Sequence, residues 1–224
     1  MTRRGAAAVV LAAGGSSRFA RSVRAVSTAG DPRSGTDAVS TAGDPRAGTD
    51  GAGVVPAPAH KLLASFRGRP LVSWALESAL AAGLERTWVV TGAVQLDGAV
   101  PPGVEVIHNP HWERGQASSL QAALLAADEA GLGAVVVGLG DQPMIPPAAW
   151  AAVASGPGPI VVASYSGKRR NPVRLDRQVW SETAAAGDEG ARSLMRLRPE
   201  LVREVACAGD PADIDTLEDL HRWN

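Results

Sequence analysis

Residues 9–18 read Val9-Val10-Leu11-Ala12-Ala13-Gly14-Gly15-Ser16-Ser17-Arg18, and the class of fold follows from them. The apolar run Ala6–Leu11 shows no polar alternation, the pattern of a strand buried on both faces. Two alanines, two glycines and then a guanidinium follow it. A strand opening into such a loop gathers backbone N–H groups beside a fixed positive charge, as binding a phosphate chain requires. Leu11, Ala12, Ala13, Gly14, Gly15 and Arg18 are therefore a candidate nucleotide-phosphate site, the alternative being an ordinary strand-to-loop turn. The natural continuation of the motif is Lys61, separated from Arg18 by 42 residues.

The intervening stretch is a tandem repeat. Residues 25–37 read AVSTAGDPRSGTD and residues 38–50 read AVSTAGDPRAGTD, differing only in Ser34 against Ala47. A solenoid requires at least three units, each with an apolar face. These units are Ala, Gly, Ser, Thr, Asp, Pro and Arg with one valine apiece, too little apolar surface to repay ordering. Residues 21–58 are accordingly expected to form a disordered insertion within a single domain spanning residues 1–224. Lengthening a linker from about six residues to 42 costs roughly 1.7 kcal/mol, too little to unfold a domain with a full core.

Beyond Lys61, regular structure resumes. The periodicity predicts helices over residues 71–82, 118–129, 147–154, 176–186 and 187–197, and strands over 87–91, 104–108, 134–139, 160–164 and 202–207. Ser118 and Gln121 have the spacing of a capping box. Residues 165–175 read as a turn carrying Lys168, Arg169, Arg170 and Arg174 and ending in a strand. Short apolar strands alternating with amphipathic helices indicate an α/β domain with a mostly parallel sheet. Ligands of such sheets collect at the carboxyl ends of the strands, where this chain has Gly14-Gly15, Gly92, Asn109 and Asp141.

Composition narrows the function. The formal net charge of −1 excludes nucleic-acid or membrane-surface binding driven by bulk charge. One cysteine, Cys207, excludes an internal disulfide and a zinc set, and His108 and His111 flank a proline turn without carboxylate company. No stretch approaches the roughly 20 apolar residues of a spanning helix, and residues 6–13 are too short for a signal peptide. The cytoplasm is the expected compartment.

Taken in order, LAAGGSSRF, a downstream lysine, NPHWERGQASSL, GDQP, RNPV, GDEGAR and DIDTLEDL resemble the molybdenum cofactor cytidylyltransferase family. It is a branch of the MobA/MocA-like NTP transferase superfamily, which also includes the molybdenum cofactor guanylyltransferases. LAAG is the cytidylyltransferase form where guanylyltransferases more often have LAGG. The resemblance implies a three-layer, Rossmann-like nucleotidyltransferase fold with a mostly parallel, mixed sheet. It also implies transfer of CMP from CTP to the terminal phosphate of molybdopterin or molybdenum cofactor with release of pyrophosphate. Mg²⁺, or Mn²⁺ in its place, would be the cofactor, and a molybdenum hydroxylase a recipient of the product. A phosphate monoester is already largely dianionic at neutral pH and needs no protein base to attack.

The same resemblance distributes the roles. Arg18 and Lys61 would neutralise the triphosphate, and Asp141 would hold the metal. Asp215 is a second metal ligand or, with Glu218, only a helix cap. Gly92, Asn109, Gly115, Ser118 and Ser119 belong to the nucleotide side. Arg170, Asn171 and Arg174 belong to the acceptor side, although relatives commonly have glycine where this chain has Arg170. Rival readings are the same chemistry with GTP or another acceptor, a nucleotide-binding protein disabled by the insertion, and a dinucleotide-dependent oxidoreductase. The last predicts G-x-G-x-x-G and an acidic end to the second strand, where the chain has GGSSRF and Thr91-Gly92.

Overall fold

In the computed structural model, residues 5–29, 60–184 and 187–224 are described, residues 24–29 by their backbone alone. Strand β1 (Ala6–Leu11) forms as its apolar pattern predicts and sits inside a seven-stranded sheet. The other strands of that sheet are β4 (Arg86–Thr91), β5 (Glu105–His108), β6 (Ala134–Leu139), β7 (Ile160–Tyr165), β8 (Lys168–Asp176) and β9 (Val202–Ala206). Their order is β5-β4-β1-β6-β8-β7-β9, and only β8 runs against its neighbours. Strands β2 (Ser65–Phe66) and β3 (Arg69–Pro70) form a separate small hairpin. The expected three-layer, mixed-sheet architecture is thus the observed one.

Alternation along β1 divides the interior between the two faces of the sheet. Ala7, Val9 and Leu11 join Leu120, Ala123, Leu124 and Ala127 of α3 (Gln116–Glu129) on one face. Ala8, Val10 and Ala12 meet α2 (Leu71–Ala81) and α4 (Pro147–Ser155) on the other, through Val72, Leu76, Trp150 and Val153. Each face removes a full set of aliphatic side chains from water, at roughly 25 cal/mol per Å² of apolar surface. Burial on both sides is why these strands read as continuous apolar runs.

A third cluster closes one end and corrects an expectation. Helix α1 spans Ser17–Ala29, so residues 21–29, read from sequence as insertion, are helical. Phe19 and Val23, one turn apart, pack with Phe66, Leu71, Ile214 and Leu220, the last on α6 (Leu217–Trp223). The Leu217 N–H donates to Ser22 Oγ at 3.2 Å. With so few apolar anchors, α1 has a weak sequence signal and takes its stability from tertiary contacts. The expected disorder of residues 30–58 lies outside the described residues. At about 1.5 Å per residue α1 is roughly 20 Å long, whereas His60 touches the loop before it, so a shortened connection must run back that distance. Removing residues 31–50 leaves ten residues between Ala29 and His60, a reach of about 33 Å. This deletion is expected to keep the melting temperature within about 2 °C and turnover equal or higher; loss of activity in the folded deletion would show that the repeat has a function.

Three local expectations are also revised. Residues 177–182 form a 3₁₀ turn (Arg177–Glu182), followed by α5 (Ala191–Leu197). Ser118 and Gln121 make no capping box: Ser118 Oγ donates toward the His111 and Gly115 carbonyls, and the Gln121 side chain turns to Thr183. The cationic turn is mostly strand, with Ser166-Gly167 as a two-residue hairpin, both at positive φ, as primed turns require.

Candidate active site

The carboxyl ends of β1, β4, β5 and β6 share one edge of the sheet, and a cleft of ≈ 420 Å³ opens there. Its floor is the loop from Leu11 to Ser16, stitched down on both sides. The Ala12 N–H donates to the Val90 carbonyl at 2.9 Å, the Gly140 N–H to Leu11 at 3.0 Å and the Ala93 N–H to Ala13 at 3.1 Å. Gly14 and Gly15 are exposed to the cleft. Ser16 has φ 52°, a left-handed conformation that favours glycine, and its carbonyl accepts the Ala20 N–H in the first turn of α1. The N-terminus of α1 therefore faces the cleft, with Ser17 and Arg18 in its wall, where helix N–H groups favour an anion.

Four charged groups meet at the cleft. Lys61 Nζ lies 2.6 Å from Asp141 Oδ2 and 2.6 Å from Asp215 Oδ1, and Arg18 reaches Asp215 Oδ2 at 2.5 Å. Asp141 stands just past β6. The C-terminal segment is brought beside it by the Ile214 N–H, which donates to the Asp141 carbonyl at 2.9 Å. Asp215 does not cap α6. Thr216 and Asp219 form that capping box instead, which leaves the Asp215 carboxylate for Lys61 and Arg18. Burial alone pulls the Lys61 pKa down, but Asp141 and Asp215 together outweigh it and raise the value, so the ammonium stays charged at neutral pH. The Arg18 side chain is 73% exposed. Such a pair contributes little to stability, so the guanidinium is free to engage a ligand.

Asp141 has one further property. Its Oδ1 is buried and has no hydrogen-bond partner, an arrangement that costs free energy unless something else is bound. Among the described residues no three His, Cys, Asp or Glu side chains gather as a metal cage. A hard divalent cation held by one or two carboxylates and completed by phosphate and water oxygens needs no such cage. The donor set fits that kind of cation.

Residues 56–205 match the family model described as the MobA-like NTP transferase domain. The chain belongs to that family. As a MobA-like nucleotidyltransferase it is 30% identical to the nicotine blue oxidoreductase of Paenarthrobacter nicotinovorans, over 77% of this chain and 91% of that protein. It is 28% identical to the purine catabolism protein PucB of Bacillus subtilis, over 71% and 85%. Among solved structures it superposes on Rv0371c of Mycobacterium tuberculosis with a TM-score of 0.67 and 27% identity, covering 99% and 98% of the two chains. That protein has also been solved in complex with manganese, with a TM-score of 0.60 and 25% identity.

The remaining expected residues of this transferase divide into those at the cleft and those apart from it. Gly115, at φ 94°, and Ser119 line the cleft. Asn109 is buried beneath it: its amide donates to Ser118 Oγ at 2.9 Å and Ser119 Oγ at 3.0 Å, and its Oδ1 accepts the His111 N–H. Gly92 permits a close approach, because a Cβ there would stand 2.5 Å from Trp112 Cβ. It lets the Trp112 ring reach the cleft wall beside Gly15.

Where Arg170 and Asn171 stand, a second hollow of ≈ 360 Å³ adjoins the cleft and shares Leu11, Gln116 and Leu139 with it. Val137, Val162 and Val173 line its apolar part, with Arg170 and Asn171 beside them. Asn171 sits in the register break between β7 and β8 and donates to Gln142 Oε1 at 3.3 Å; the Gln142 amide in turn donates to Asp213 Oδ1 at 2.8 Å. Arg174 does not join this group. Because β8 runs antiparallel, each step along it from Arg170 leads away from the carboxyl edge. Arg174 pairs in register with Val136 and Val161, and its buried guanidinium is held by Asp176 and the Ala154 and Gly156 carbonyls. Sequence reasoning assigned no role to His60, Trp112, Gln116, Gln142 or Asp188. The Gly-Asp-Gln-Pro stretch and the histidine directly before Lys61 were the available signals.

Proposed function

We propose that this MobA-like nucleotidyltransferase transfers CMP from CTP to the terminal phosphate of molybdopterin or its molybdenum form and releases pyrophosphate. The observation that carries the reading is the unpartnered, buried Asp141 Oδ1 beside Lys61, in the same cleft as the exposed glycine loop. A Mg²⁺ ion, or Mn²⁺ as in the Rv0371c complex, held by Asp141 and Asp215 would supply Lewis-acid neutralisation of phosphate charge. The chain's own groups do the rest. The N–H groups of the loop and of the α1 N-terminus cradle the triphosphate, and Arg18 and Lys61 balance the charge that gathers on the leaving pyrophosphate. An oxygen of the acceptor phosphate bonds to the α-phosphorus as the α–β bridge breaks, so no side chain has to remove a proton. Asn109, through Ser118 and Ser119, holds the glycine turn at Gly115 that borders the nucleoside end. The adjoining hollow, apolar below with Arg170 at its side, suits a flat anionic acceptor.

The test is to incubate the protein with Mg²⁺, molybdenum cofactor and each NTP in turn, following pyrophosphate and the dinucleotide product. CTP is expected to give both. Turnover with GTP and none with CTP would sink the assignment. The relative named as an oxidoreductase supports a second reading, in which the cleft takes a nicotinamide dinucleotide. β4 ends at Thr91-Gly92 with no carboxylate for a ribose, which speaks against it; saturable NAD(P)H binding would favour it.

A further inference from the structure

Lys61 and the glycine loop lie far apart in sequence, and closing a chain between two points costs more as the chain lengthens. A direct bond ties them together. His60 is buried, and its Nε2 stands 2.7 Å from the Gly14 carbonyl oxygen, 46 positions away. Only an N–H can make that contact, so Nε2 carries the proton. Nδ1 then accepts from the Leu62 N–H at 3.3 Å, which caps the 3₁₀ turn Lys61–Leu63. Ser16 Oγ lies 3.0 Å from the same ring, against the residue whose φ of 52° is strained. Burial and the nearby Lys61 charge hold the His60 pKa below its usual value, outweighing the opposite pull of the Gly14 carbonyl, and this favours the neutral ring that the geometry requires. The peptide between Gly14 and Gly15 is planar, so a carbonyl held toward His60 turns the Gly15 N–H the other way.

We propose that His60 is a positioning residue that clamps the glycine loop to the lysine turn, so that the loop N–H groups and Lys61 meet the same nucleotide phosphates as one unit. The proposal rests on the reading that this cleft holds a triphosphate. Its role is to replace, with one ring, the close coupling that a short connection would give by itself. His60 touches no phosphate, and Lys61 stays anchored to Asp141 and Asp215 without it, so the effect falls on the loop's share of binding rather than on the chemical step.

The test is to measure affinity for Mg²⁺–CTP and for inorganic tripolyphosphate by calorimetry, with KM and kcat alongside, for wild type, His60→Ala and His60→Gln. His60→Ala is expected to bind both probes about 5- to 10-fold more weakly, the loss associated with a buried hydrogen bond, and to raise KM by a similar factor with kcat within about 2-fold. His60→Gln keeps a donor for Gly14 and is expected to recover most of the loss even if the alanine variant folds poorly. Equal affinity of His60→Ala and wild type for both probes overturns the proposal, as does a loss seen with CTP and absent with tripolyphosphate. Failure of the wild type to bind either probe would instead remove the triphosphate reading beneath it.

Discussion

Asp141→Asn is expected to lower kcat by about 10³-fold, at the upper end of what one electrostatic group in a closed site contributes. The carboxylate has two separate jobs. Its Oδ2 holds Lys61 at 2.6 Å, and its Oδ1 is buried with no partner. Asparagine keeps the shape, and its carbonyl oxygen still accepts from Lys61, but the negative charge is gone and an amide nitrogen stands where one oxygen stood. The apparent affinity for the divalent ion therefore falls together with kcat. Stability changes little, because Lys61 retains Asp215; a melting shift of no more than about 4 °C corresponds to a loss of roughly 1 kcal/mol. Initial rates across a metal titration, with a melting curve as control, measure both. A variant keeping a tenth or more of wild-type turnover would remove Asp141 from the proposed metal position.

Lys61→Met is expected to reduce kcat by about 10²-fold, with a smaller rise in KM, because the ammonium is most useful when charge gathers on the departing pyrophosphate. Methionine preserves much of the side chain's length and removes the charge. This substitution also costs stability, since Asp141 loses its cation while Asp215 keeps Arg18. The pH dependence has a definite sign. The folded-state pKa of Lys61 is raised, so its contribution is fully present below the unfolded value of about 10.4. It is lost as pH rises through the raised value. The stability gap between wild type and Lys61→Met is thus constant across neutral pH and closes in strong alkali. Denaturant unfolding at several pH values follows it, and a gap that widened toward alkaline pH would contradict the ion pairing.

Much of this site was legible before any coordinates. β1 and β6 are apolar over their whole length, and β4 over residues 88–90, because both faces of the sheet are covered, and that pattern needs no tertiary knowledge to read. Gly14, Gly15 and Asp141 follow directly from where those strands stop. Asp215 was ambiguous because Asp215–Glu218 satisfies the spacing of a capping box, and only the observed geometry gives the cap to Thr216 and Asp219 instead. Arg174 was grouped with Arg170 because four positions along a chain say nothing about strand direction. Once β8 is antiparallel to β6 and β7, the two arginines lie toward opposite ends of the sheet.

The opening motif divides along the same line. Strand, glycine loop and the charge after it are local, set by side-chain period and by the backbone freedom of glycine, and the primary structure is enough to establish them. Three features waited on the folded chain: helix α1, the clamp of His60 on Gly14, and the meeting of Lys61, Asp141 and Asp215. The last two are closures between residues 46 to 154 positions apart. No local period encodes such closures, because they exist only when two packed faces of one sheet bring distant segments to the same edge.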